Sequence, residues 1–480
     1  MKKITFVLTV VLVLNSYNNY AQVRNSRFDN NIKCSKVFKE LTDKLESNYL
    51  GYKKLVEAGD KDKYKKLKSN YSRLFKGLTT DNCTRMLQLF LEEFNDGHLF
   101  VFERPKYTKR EKKLLQKRAK IHRRDIDEVL KELKAQGHGE VTGKWSDGNY
   151  EIAIIKEGED YNGYTITESD TIPAGSLLAS FSKGNMTGMH GTWYNYNLEP
   201  KFIEVNLSKE NTLLSFSAEN KWGKIEGVPK REVEVINPKD ITQPSLRFLD
   251  DETTLFTIPS FSSDPNYLEE LLRKNAVAVA SRSKLIIDVR GNRGGNAVYF
   301  GFMPAYATKG LSSRGSGEVF ASKDILGYFE RLAKNSPDVY QPVVDRIKNN
   351  MGEIVLGPDY PDRPLNSYPS NIKYVAILTD EACMSACESF ILHSKAMSDK
   401  VKVYGTNTAG VIDYTSVMSV KLKSSKNQNI YFGFPTSSLG KGYSTDEYPN
   451  GYNKTGIRPD VALPSSVEDK VLHVMEIMGD

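Results

Sequence analysis

The sequence predicts a multidomain α/β protein with three parts: an N-terminal helical region, a middle β-rich domain folded as a sandwich or barrel, and a C-terminal α/β core with a mixed sheet. Apolar residues recur at helical spacing in 30–97, whereas short alternating segments separated by Gly, Asn and Asp fill 139–240. From 246 onward, buried strands alternate with helices. We place the helical region at 22–102, a basic helical connector at 103–138, the β-rich domain at 139–245 and the α/β core at 246–480.

Composition and charge exclude two classes of protein. Hydrophobic residues make up 39% and charged residues 26% of the 480, which is globular rather than disordered composition. The net charge is +7, and much of the excess lies in Lys106–Lys134. Acidic and apolar residues resume from Asp125, so we favour an exposed, charge-rich helix over a nucleic-acid-binding patch. No nucleic-acid partner is therefore expected.

The first 21 residues have the layout of a secretory signal peptide. Lys2 and Lys3 precede an almost wholly apolar run, Ile4–Leu14, and a cleavage site follows Ala21. The run is too short to span a bilayer, and no apolar run of about 20 residues follows it. We expect an exported protein, periplasmic or extracellular, without stable membrane insertion.

The four cysteines fall into two pairs. Cys34 and Cys83 lie in the N-terminal helical region, where export would permit a disulfide between them. Cys383 and Cys387 have i,i+4 spacing, which is poor geometry for a disulfide if the segment is helical, so we expect small buried residues there. No Cys/His spacing indicates a metal site.

Ser385 stands at a junction that suits a nucleophile. A buried strand ends at Leu378, a short acidic turn follows, and Ser385 comes where a helix should begin. Main-chain N–H groups at a helix start, together with the helix dipole, would stabilise an oxyanion there. A serine that only caps the helix is the alternative, and this segment alone does not distinguish the two.

A second segment, 285–296, runs from a buried strand into a glycine-rich turn. Gly294 and Gly295 permit close approach of the main chain to a ligand, and one of their N–H groups would complete an oxyanion hole with Ala386. A phosphate-binding turn is the rival, but the Gly-Lys-Ser/Thr signature is missing. Three polar residues should brace the turn by hydrogen bonds: Asp288, Arg290 and Asn292.

Together the two segments resemble the tail-specific, or C-terminal-processing, serine peptidase family. The matching motifs are Asp288-Val-Arg-Gly-Asn-Arg-Gly-Gly295, Ser385-Ala-Cys-Glu388, Tyr404-Gly-Thr-Asn-Thr-Ala-Gly410 and Gly456-Ile-Arg-Pro-Asp460. The resemblance covers 250–480 well and 30–102 loosely. It implies a cofactor-free serine endopeptidase that cleaves a peptide or protein substrate through an acyl-enzyme on Ser385.

The resemblance also bears on the general base. Many family members carry a lysine just after the segment that here is Gly405–Gly410, but Val411 occupies that position. The branch resembling the tricorn core peptidase uses a histidine in a turn after an N-terminal helix, and Asn95-Asp-Gly-His98 matches that turn. A lone turn histidine is often structural. The missing lysine and the motif nevertheless favour His98 as the base that activates Ser385.

The third member of the triad is less well defined. In the tricorn-like branch an acid follows the serine by some tens of residues, and we prefer Glu447, with Asp446 as the other candidate. Relatives often carry Glu three residues before the Gly-Ile-x-Pro-Asp segment, where this chain has Asn453. For Glu388, one helical turn past the serine, anchoring the helix start is favoured over a catalytic role.

The middle domain departs from the family pattern. Tail-specific peptidases usually carry a PDZ domain, but no PDZ carboxylate-binding loop is recognisable in 103–245, which holds Trp145, Trp193 and Trp222. We expect these tryptophans to pack in a core rather than line a groove. A non-catalytic peptide- or lipid-binding protein on the same fold is the alternative function, favoured by the missing lysine and by Asn453. The sequence leaves the oligomeric state open.

Overall fold

The computed structural model describes residues 33–479 except 77, 79–82, 105, 107–108, 110–112, 114–122, 148–149, 170–171, 184–188, 195–199, 208–212, 217–220, 226–242, 314, 441–447, 449–450, 454, 465–466 and 468. The expected signal peptide, and most of the basic stretch before residue 123, therefore lie outside the described residues. Within the described ranges no helix is both long and apolar enough to cross a membrane.

The N-terminal region is helical, as predicted. Its helices are α1 (Cys34–Asn48), α2 (Leu50–Glu57), α3 (Lys61–Leu74) and α4 (Cys83–Glu92), and strand β1 (Phe100–Glu103) follows. Helix α5 (Ile126–Gln136) then follows. Asp125 caps its N-terminus, and the Asp125 side chain accepts a hydrogen bond from the N–H of Asp127 at 2.9 Å. This helix leads into the β-rich domain.

The β-rich domain is a closed antiparallel barrel. Its strands are β2 (Gly143–Ser146), β3 (Glu151–Glu157), β4 (Asp160–Thr165), β5 (Leu177–Lys183), β6 (Met189–Tyr194), β7 (Pro200–Leu207), β8 (Leu213–Ser215) and β9 (Lys221–Lys224). The last strand pairs with the first, which leaves no free sheet edge. Trp145, Trp193 and Trp222 are all buried in the barrel core, which confirms their predicted packing role.

The C-terminal part alternates strands and helices. In order they are β10 (Ser245–Phe248), β11 (Thr253–Thr257), α6 (Pro265–Ala280), β12 (Lys284–Asp288), β13 (Glu318–Phe320), α7 (Lys323–Ala333), α8 (Pro337–Asn349), β14 (Ile354–Leu356), β15 (Tyr374–Thr379), α9 (Ala386–Met397), β16 (Val401–Gly405), β17 (Tyr414–Lys421), β18 (Ile430–Ser438), β19 (Val461–Ala462) and α10 (Lys470–Ile477). Short 3₁₀ turns occupy Val298–Gly301 and Met303–Ala305.

The central sheet has the strand order β10-β11-β12-β15-β16-β19. Only β10 is antiparallel to its neighbour and the other strands are parallel, so the predicted mixed sheet is confirmed. In the β12–β15 register Asp288 lies opposite Leu378. The glycine-rich turn and the Ser385 turn therefore leave the same edge of the sheet, where the carboxyl ends of its parallel strands lie.

A separate three-stranded sheet joins the two ends of the chain. Strand β1 pairs antiparallel with β18, with Phe100 opposite Gly433 and Glu103 opposite Ile430, and β18 pairs in turn with β17. Side chains of the N-terminal helices and of β18 share one apolar core, which includes Leu41, Phe90 and Phe432. The N-terminal region is thus built into the C-terminal fold.

The barrel also contacts this joined unit. The side chain of Glu103 on β1 accepts a hydrogen bond from the N–H of Phe202 in the barrel at 2.7 Å. Arg85 of α4 donates a hydrogen bond to Ser182 of the barrel at 2.6 Å. The barrel therefore contacts both elements that flank the turn at residues 95–98, helix α4 before it and strand β1 after it.

We predict that Gly191→Ala destabilises the barrel. Gly191 lies opposite Phe181 on the neighbouring strand, and a Cβ added to it would stand 2.5 Å from the Cα of Phe181 and closer still to the carbonyl oxygen of Ser180. Two paired strands would have to separate, so the free energy of unfolding should fall by about 1–3 kcal/mol. Urea unfolding followed by tryptophan fluorescence measures the change.

Gly223→Ala in the same barrel is the matched control. A Cβ there would meet only the carbonyl oxygen of Ser146, at 3.9 Å, which is an ordinary contact. Equal losses of stability in the two variants would contradict the steric explanation.

Candidate active site

Ser385 occupies the sharp turn between strand β15 and helix α9. It is half-buried, and its main chain adopts φ 58° and ψ −116°, a conformation that residues other than glycine rarely adopt. Such a conformation persists only where the surrounding structure fixes it, and it is found preferentially at functional sites. The contacts on both sides of the serine therefore matter.

Asp380 fixes the turn on the N-terminal side of the serine. Its buried Oδ1 accepts hydrogen bonds from the N–H groups of Ala382 at 3.0 Å and Cys383 at 3.1 Å. The same oxygen accepts a hydrogen bond from the N–H of Gly291 at 3.0 Å. Asp380 thus ties the serine turn to the glycine-rich turn.

Glu388 fixes the C-terminal side. Its fully buried carboxylate accepts hydrogen bonds from the N–H groups of Ser385 at 3.0 Å, Gly410 at 2.8 Å and Val411 at 2.8 Å, and from the hydroxyl of Thr408 at 2.6 Å. Burial raises the pKa of Glu388, although each of these hydrogen bonds favours the charged form. Glu388 therefore has the anchoring role that the sequence favoured.

The expectation that Cys383 and Cys387 are small buried residues without a disulfide is wrong. Cys383 and Cys387 form a disulfide, with their Cα atoms 5.5 Å apart, whereas Cys34 and Cys83, for which a disulfide was permitted, are buried thiols that are not bridged. An i,i+4 spacing is unfavourable for a disulfide only where both cysteines lie in one continuous helix. Helix α9 begins only at Ala386, so Cys383 lies in the preceding turn and within bridging distance.

The glycine-rich turn carries the bracing contacts that the sequence predicted. The guanidinium group of Arg290 donates two hydrogen bonds to the carboxylate of Asp288, at 2.9 and 2.7 Å. The buried side chain of Asn292 donates to the carbonyl of Ile258 at 3.0 Å and accepts from the N–H of Gly294 at 2.9 Å. The turn is therefore held to the main chain of the neighbouring segment.

The two turns touch at Gly294. Its φ is +92°, and a Cβ on it would stand 2.8 Å from the carbonyl oxygen of Met384 and 2.9 Å from the nitrogen of Ala386. Because Asn292 already accepts the N–H of Gly294, this donor is occupied. The N–H groups of Ala386 and Gly295 have no hydrogen-bond partner in the described part of the chain.

The structure brings His98 to Ser385. The Nε2 atom of the imidazole lies 2.9 Å from the Oγ atom of the serine, across a sequence separation of 287 residues. The imidazole is buried, and the turn that carries it is closed by a 2.9 Å hydrogen bond from the N–H of His98 to Asp96. Strand β1 begins two residues later, at Phe100.

Among the described residues, Asp96 is the acid that faces the other ring nitrogen, and sequence reasoning missed it. Its Oδ1 lies 4.0 Å from Nδ1 of His98, and its Oδ2 accepts a hydrogen bond from the hydroxyl of Tyr49 at 2.8 Å. Within the described ranges, Nδ1 has no partner at hydrogen-bonding geometry, although the main chain of Tyr414 also faces it. The available signal was the turn itself, Asn-Asp-Gly-His, which contains the acid.

The other candidates for the third position are Glu447, Asp446 and Asn453. Glu447 and Asp446 lie outside the described residues. The side-chain oxygen of Asn453 accepts hydrogen bonds from the N–H groups of Ile412 at 3.3 Å and Asp413 at 3.2 Å. Asn453 therefore braces the segment that leads into β17.

Burial controls the protonation of this pair. It lowers the pKa of His98, while the charge of Asp96 and the main chain of Tyr414 act in the opposite direction. Burial also raises the pKa of Asp96, although His98 and Tyr49 favour its charged form. Burial thereby favours the neutral form of the imidazole, which is the form that can accept a proton.

Val411 fills the position where many relatives have a lysine. Its side chain is buried, and a Cβ on Gly97 would stand 2.8 and 2.9 Å from its two methyl carbons. Val411 therefore packs directly against the turn that carries His98. In the described ranges, no three His, Cys, Asp or Glu side chains converge as a metal site requires.

Several solved structures are similar to this chain over most of its length, at low sequence identity. The structure of mature CPAF complexed with lactacystin shares 11% identity, covers 90% of this chain and 94% of its own, and gives a TM-score of 0.47. A putative peptidase from Parabacteroides merdae ATCC 43184 shares 14%, covers 92% and 93%, and gives 0.42. The tricorn protease shares 14%, covers 90% and 34%, and gives 0.39.

Comparison with curated protein sequences gives no significant match. Residues 252–463, however, match the family model for peptidase family S41. This range runs from β11 to the end of β19 and contains both the glycine-rich turn and Ser385. This α/β domain is therefore similar to peptidase family S41, and the match supports a peptidase function for the protein.

Proposed function

We propose that this protein is an exported serine endopeptidase in which Ser385 is the nucleophile and His98 the general base. The observation that carries the proposal is the 2.9 Å distance between Nε2 of His98 and Oγ of Ser385. A serine hydroxyl needs such a base to become nucleophilic. The expected signal peptide, 1–21, is the basis for export.

In the proposed reaction the hydroxyl proton of Ser385 passes to Nε2 of His98 as Oγ attacks the substrate carbonyl carbon. The tetrahedral intermediate then collapses, the C–N bond breaks, and the imidazolium returns its proton to the leaving amine. Water, activated by the same histidine, hydrolyses the acyl-enzyme and frees Ser385. The substrate is therefore a peptide or protein, and the chemistry needs no cofactor.

The oxyanion is assigned to two main-chain donors, the N–H groups of Ala386 and Gly295. Ala386 is the first residue of helix α9, where N–H groups lack helical partners and the helix dipole favours negative charge. Gly295, with φ +134°, belongs to the turn that touches Ser385 through Gly294. The N–H of Gly294 is not assigned to the oxyanion, because it already donates a hydrogen bond to the side chain of Asn292.

The orienting group on the far side of the imidazole is assigned to Asp96. For Nε2 to accept a proton, the neutral ring must carry its hydrogen on Nδ1, which faces Asp96. The carboxylate would also stabilise the imidazolium that forms during attack. Glu447 stays a prediction from the sequence for the same role.

We predict that Ser385→Ala and His98→Ala each abolish the reaction without unfolding the protein. Peptide hydrolysis should fall by about 10³-fold or more, because both variants remove a member of one catalytic unit. Covalent labelling by a fluorophosphonate probe should disappear in Ser385→Ala and nearly disappear in His98→Ala. His473→Ala, in the C-terminal helix α10, is the control histidine and should behave as wild type.

The same labelling experiment separates the alternatives. A non-catalytic peptide- or lipid-binding protein would leave the wild type unlabelled. An esterase would be labelled but would not cleave peptides. Full hydrolysis by purified Ser385→Ala would contradict the mechanism outright.

The pH dependence should follow His98. Only the neutral imidazole accepts a proton, so kcat/KM rises as the pH rises through the pKa of His98, and burial holds that pKa below its ordinary 6.5. Asp96→Asn removes the charge that raises this pKa, so the acid limb should move to still lower pH. The plateau rate should fall about tenfold or more, because the imidazolium loses its carboxylate.

Measuring kcat/KM between about pH 4 and 9 for both proteins tests this prediction, provided that far-UV circular dichroism shows both to be folded. An acid limb at or above pH 6.5 in the wild type would contradict a buried, neutral base. A limb that Asp96→Asn leaves in place would exclude Asp96 as the group facing the imidazole.

Gly294→Ala should disable the oxyanion site, whereas Gly291→Ala in the same turn should not. Both glycines have positive φ, but a Cβ on Gly294 meets the serine turn, while a Cβ on Gly291 meets nothing within 4 Å. Gly294→Ala should lower kcat by about 10²-fold or more. Gly291→Ala should cost only about 1–2 kcal/mol of main-chain strain in unfolding free energy. Steady-state kinetics and thermal unfolding of both variants make the comparison, and equal kcat values would contradict it.

A further inference from the structure

We infer that the Cys383–Cys387 disulfide is a positioning element for the nucleophile, so that activity depends on its being closed. The inference rests on the proposed role of Ser385. The bridge joins the residue two before the serine to the residue two after it, and both cysteines are fully buried. Ser385 is thus the central residue of a five-residue covalent ring.

The conformation of the serine explains why such a ring matters. Ser385 has φ 58° and ψ −116°, which carries its hydroxyl toward His98 and is unfavourable for a residue with a Cβ. If the ring opened, residues 383–385 could relax toward ordinary torsion angles without unfolding the sheet below. The nucleophile would then leave the 2.9 Å geometry.

Hydrogen bonds hold the ring on both sides of the serine, and one of them, from the N–H of Cys387 to the carbonyl of Met384 at 3.0 Å, spans it. Asp380 accepts the N–H of Cys383, and the carbonyl of Cys383 accepts the N–H of Ala409 at 2.9 Å. Glu388 accepts the N–H of Ser385 from the helical side. The disulfide is the covalent connection between these two anchored ends.

The bridge also lies beneath the proposed oxyanion site. The sulfur of Cys387 stands 3.9 Å from the main-chain oxygen of Val289, the first residue after β12, at the start of the glycine-rich turn. Ala386, one proposed oxyanion donor, lies inside the ring next to Cys387. Opening the bridge would therefore disturb both the nucleophile and its neighbouring donor.

A purely stabilising role fits the bridge less well. Disulfides stabilise a fold mainly by restricting the unfolded chain, and this effect grows with the length of the closed loop. The loop closed here has a sequence separation of only 4, so this stabilising effect is near its lower limit. Cys34 and Cys83, which are far apart in sequence and in contact, remain thiols. Closing the Cys383–Cys387 bridge therefore restricts the conformation of the serine turn more than it stabilises the whole fold.

Opening the bridge is a thiol–disulfide exchange with an external dithiol. The dithiol supplies two electrons and two protons, Cys383 and Cys387 become thiols, and the dithiol closes to its own disulfide. Reoxidation by a glutathione disulfide reverses the exchange and yields two molecules of the reduced thiol. Because both sulfurs are buried, exchange in the folded protein proceeds through transient opening of the turn.

The first test compares two double variants. Cys383→Ala/Cys387→Ala should lower the second-order rate of fluorophosphonate labelling, and kcat, by roughly 10- to 100-fold, with little change in KM, because small displacements of a nucleophile have effects of this size. Cys34→Ala/Cys83→Ala removes the same number of buried sulfurs and should keep the wild-type rate. Thermal unfolding of both variants shows whether a slower labelling rate comes from a less stable fold or from a displaced serine turn in a fold of unchanged stability.

The second test uses the wild type and does not depend on a variant that folds. Treatment with dithiothreitol, followed by alkylation and mass spectrometry to count opened bridges, should reduce labelling in proportion to opening. Oxidised glutathione, applied before alkylation to a parallel sample, should restore it. The same treatment should leave the residual labelling of Cys383→Ala/Cys387→Ala unchanged.

The outcomes separate the two proposals. Wild-type labelling rates in folded Cys383→Ala/Cys387→Ala, or in wild type with the bridge shown to be open, would overturn this inference while leaving Ser385 as nucleophile. An absence of labelling in the oxidised wild type would overturn the proposed function, and the inference with it.

Discussion

The site depends on one interaction, the antiparallel pairing of β1 with β18. Ser385 belongs to the C-terminal sheet and His98 to the N-terminal helical region, 287 residues earlier in the chain. The ladder from Phe100 opposite Gly433 to Glu103 opposite Ile430 fixes the strand that begins two residues after the histidine. The shared apolar core beneath it makes the two regions one folding unit, since neither could bury that surface alone.

The same sheet sets the environment of the histidine. Strand β17, the partner of β18, begins at Tyr414, just after Val411 packs against Gly97 and Asn453 braces residues 412 and 413. A valine rather than a lysine at this position places an apolar side chain, not a cation, against the turn that carries the imidazole. In the proposed mechanism a buried histidine takes the place of the lysine that the resemblance implies for many relatives, and the carboxylate of Asp96 opposes the effect of burial on the pKa of His98.

Motif order predicted more of the site than periodicity did. The glycine-rich turn, Ser385 and His98 were predicted because this chain carries the short motifs of the family that it resembles, in the same order along the sequence. The disulfide was predicted wrongly, since the sequence does not reveal that Ser385 takes a positive φ and that the helix starts one residue after it. Asp96 was missed because the search for an acid followed the family pattern downstream of the serine, to residues 446 and 447.

The sequence by itself determined the local elements: the three-part α/β architecture, the buried tryptophans of the β-rich domain, and the two turns at the same edge of a parallel sheet. Periodicity and turn residues act within a few positions of the chain, so the helices, strands and turns that they specify can be recognised from the sequence alone. Tertiary structure alone decided that His98 meets Ser385, that the bridge closes around the serine, and that Asp96 faces the imidazole. Those contacts depend on ångström-scale packing between segments distant in sequence, or on torsion angles that only the packed fold enforces.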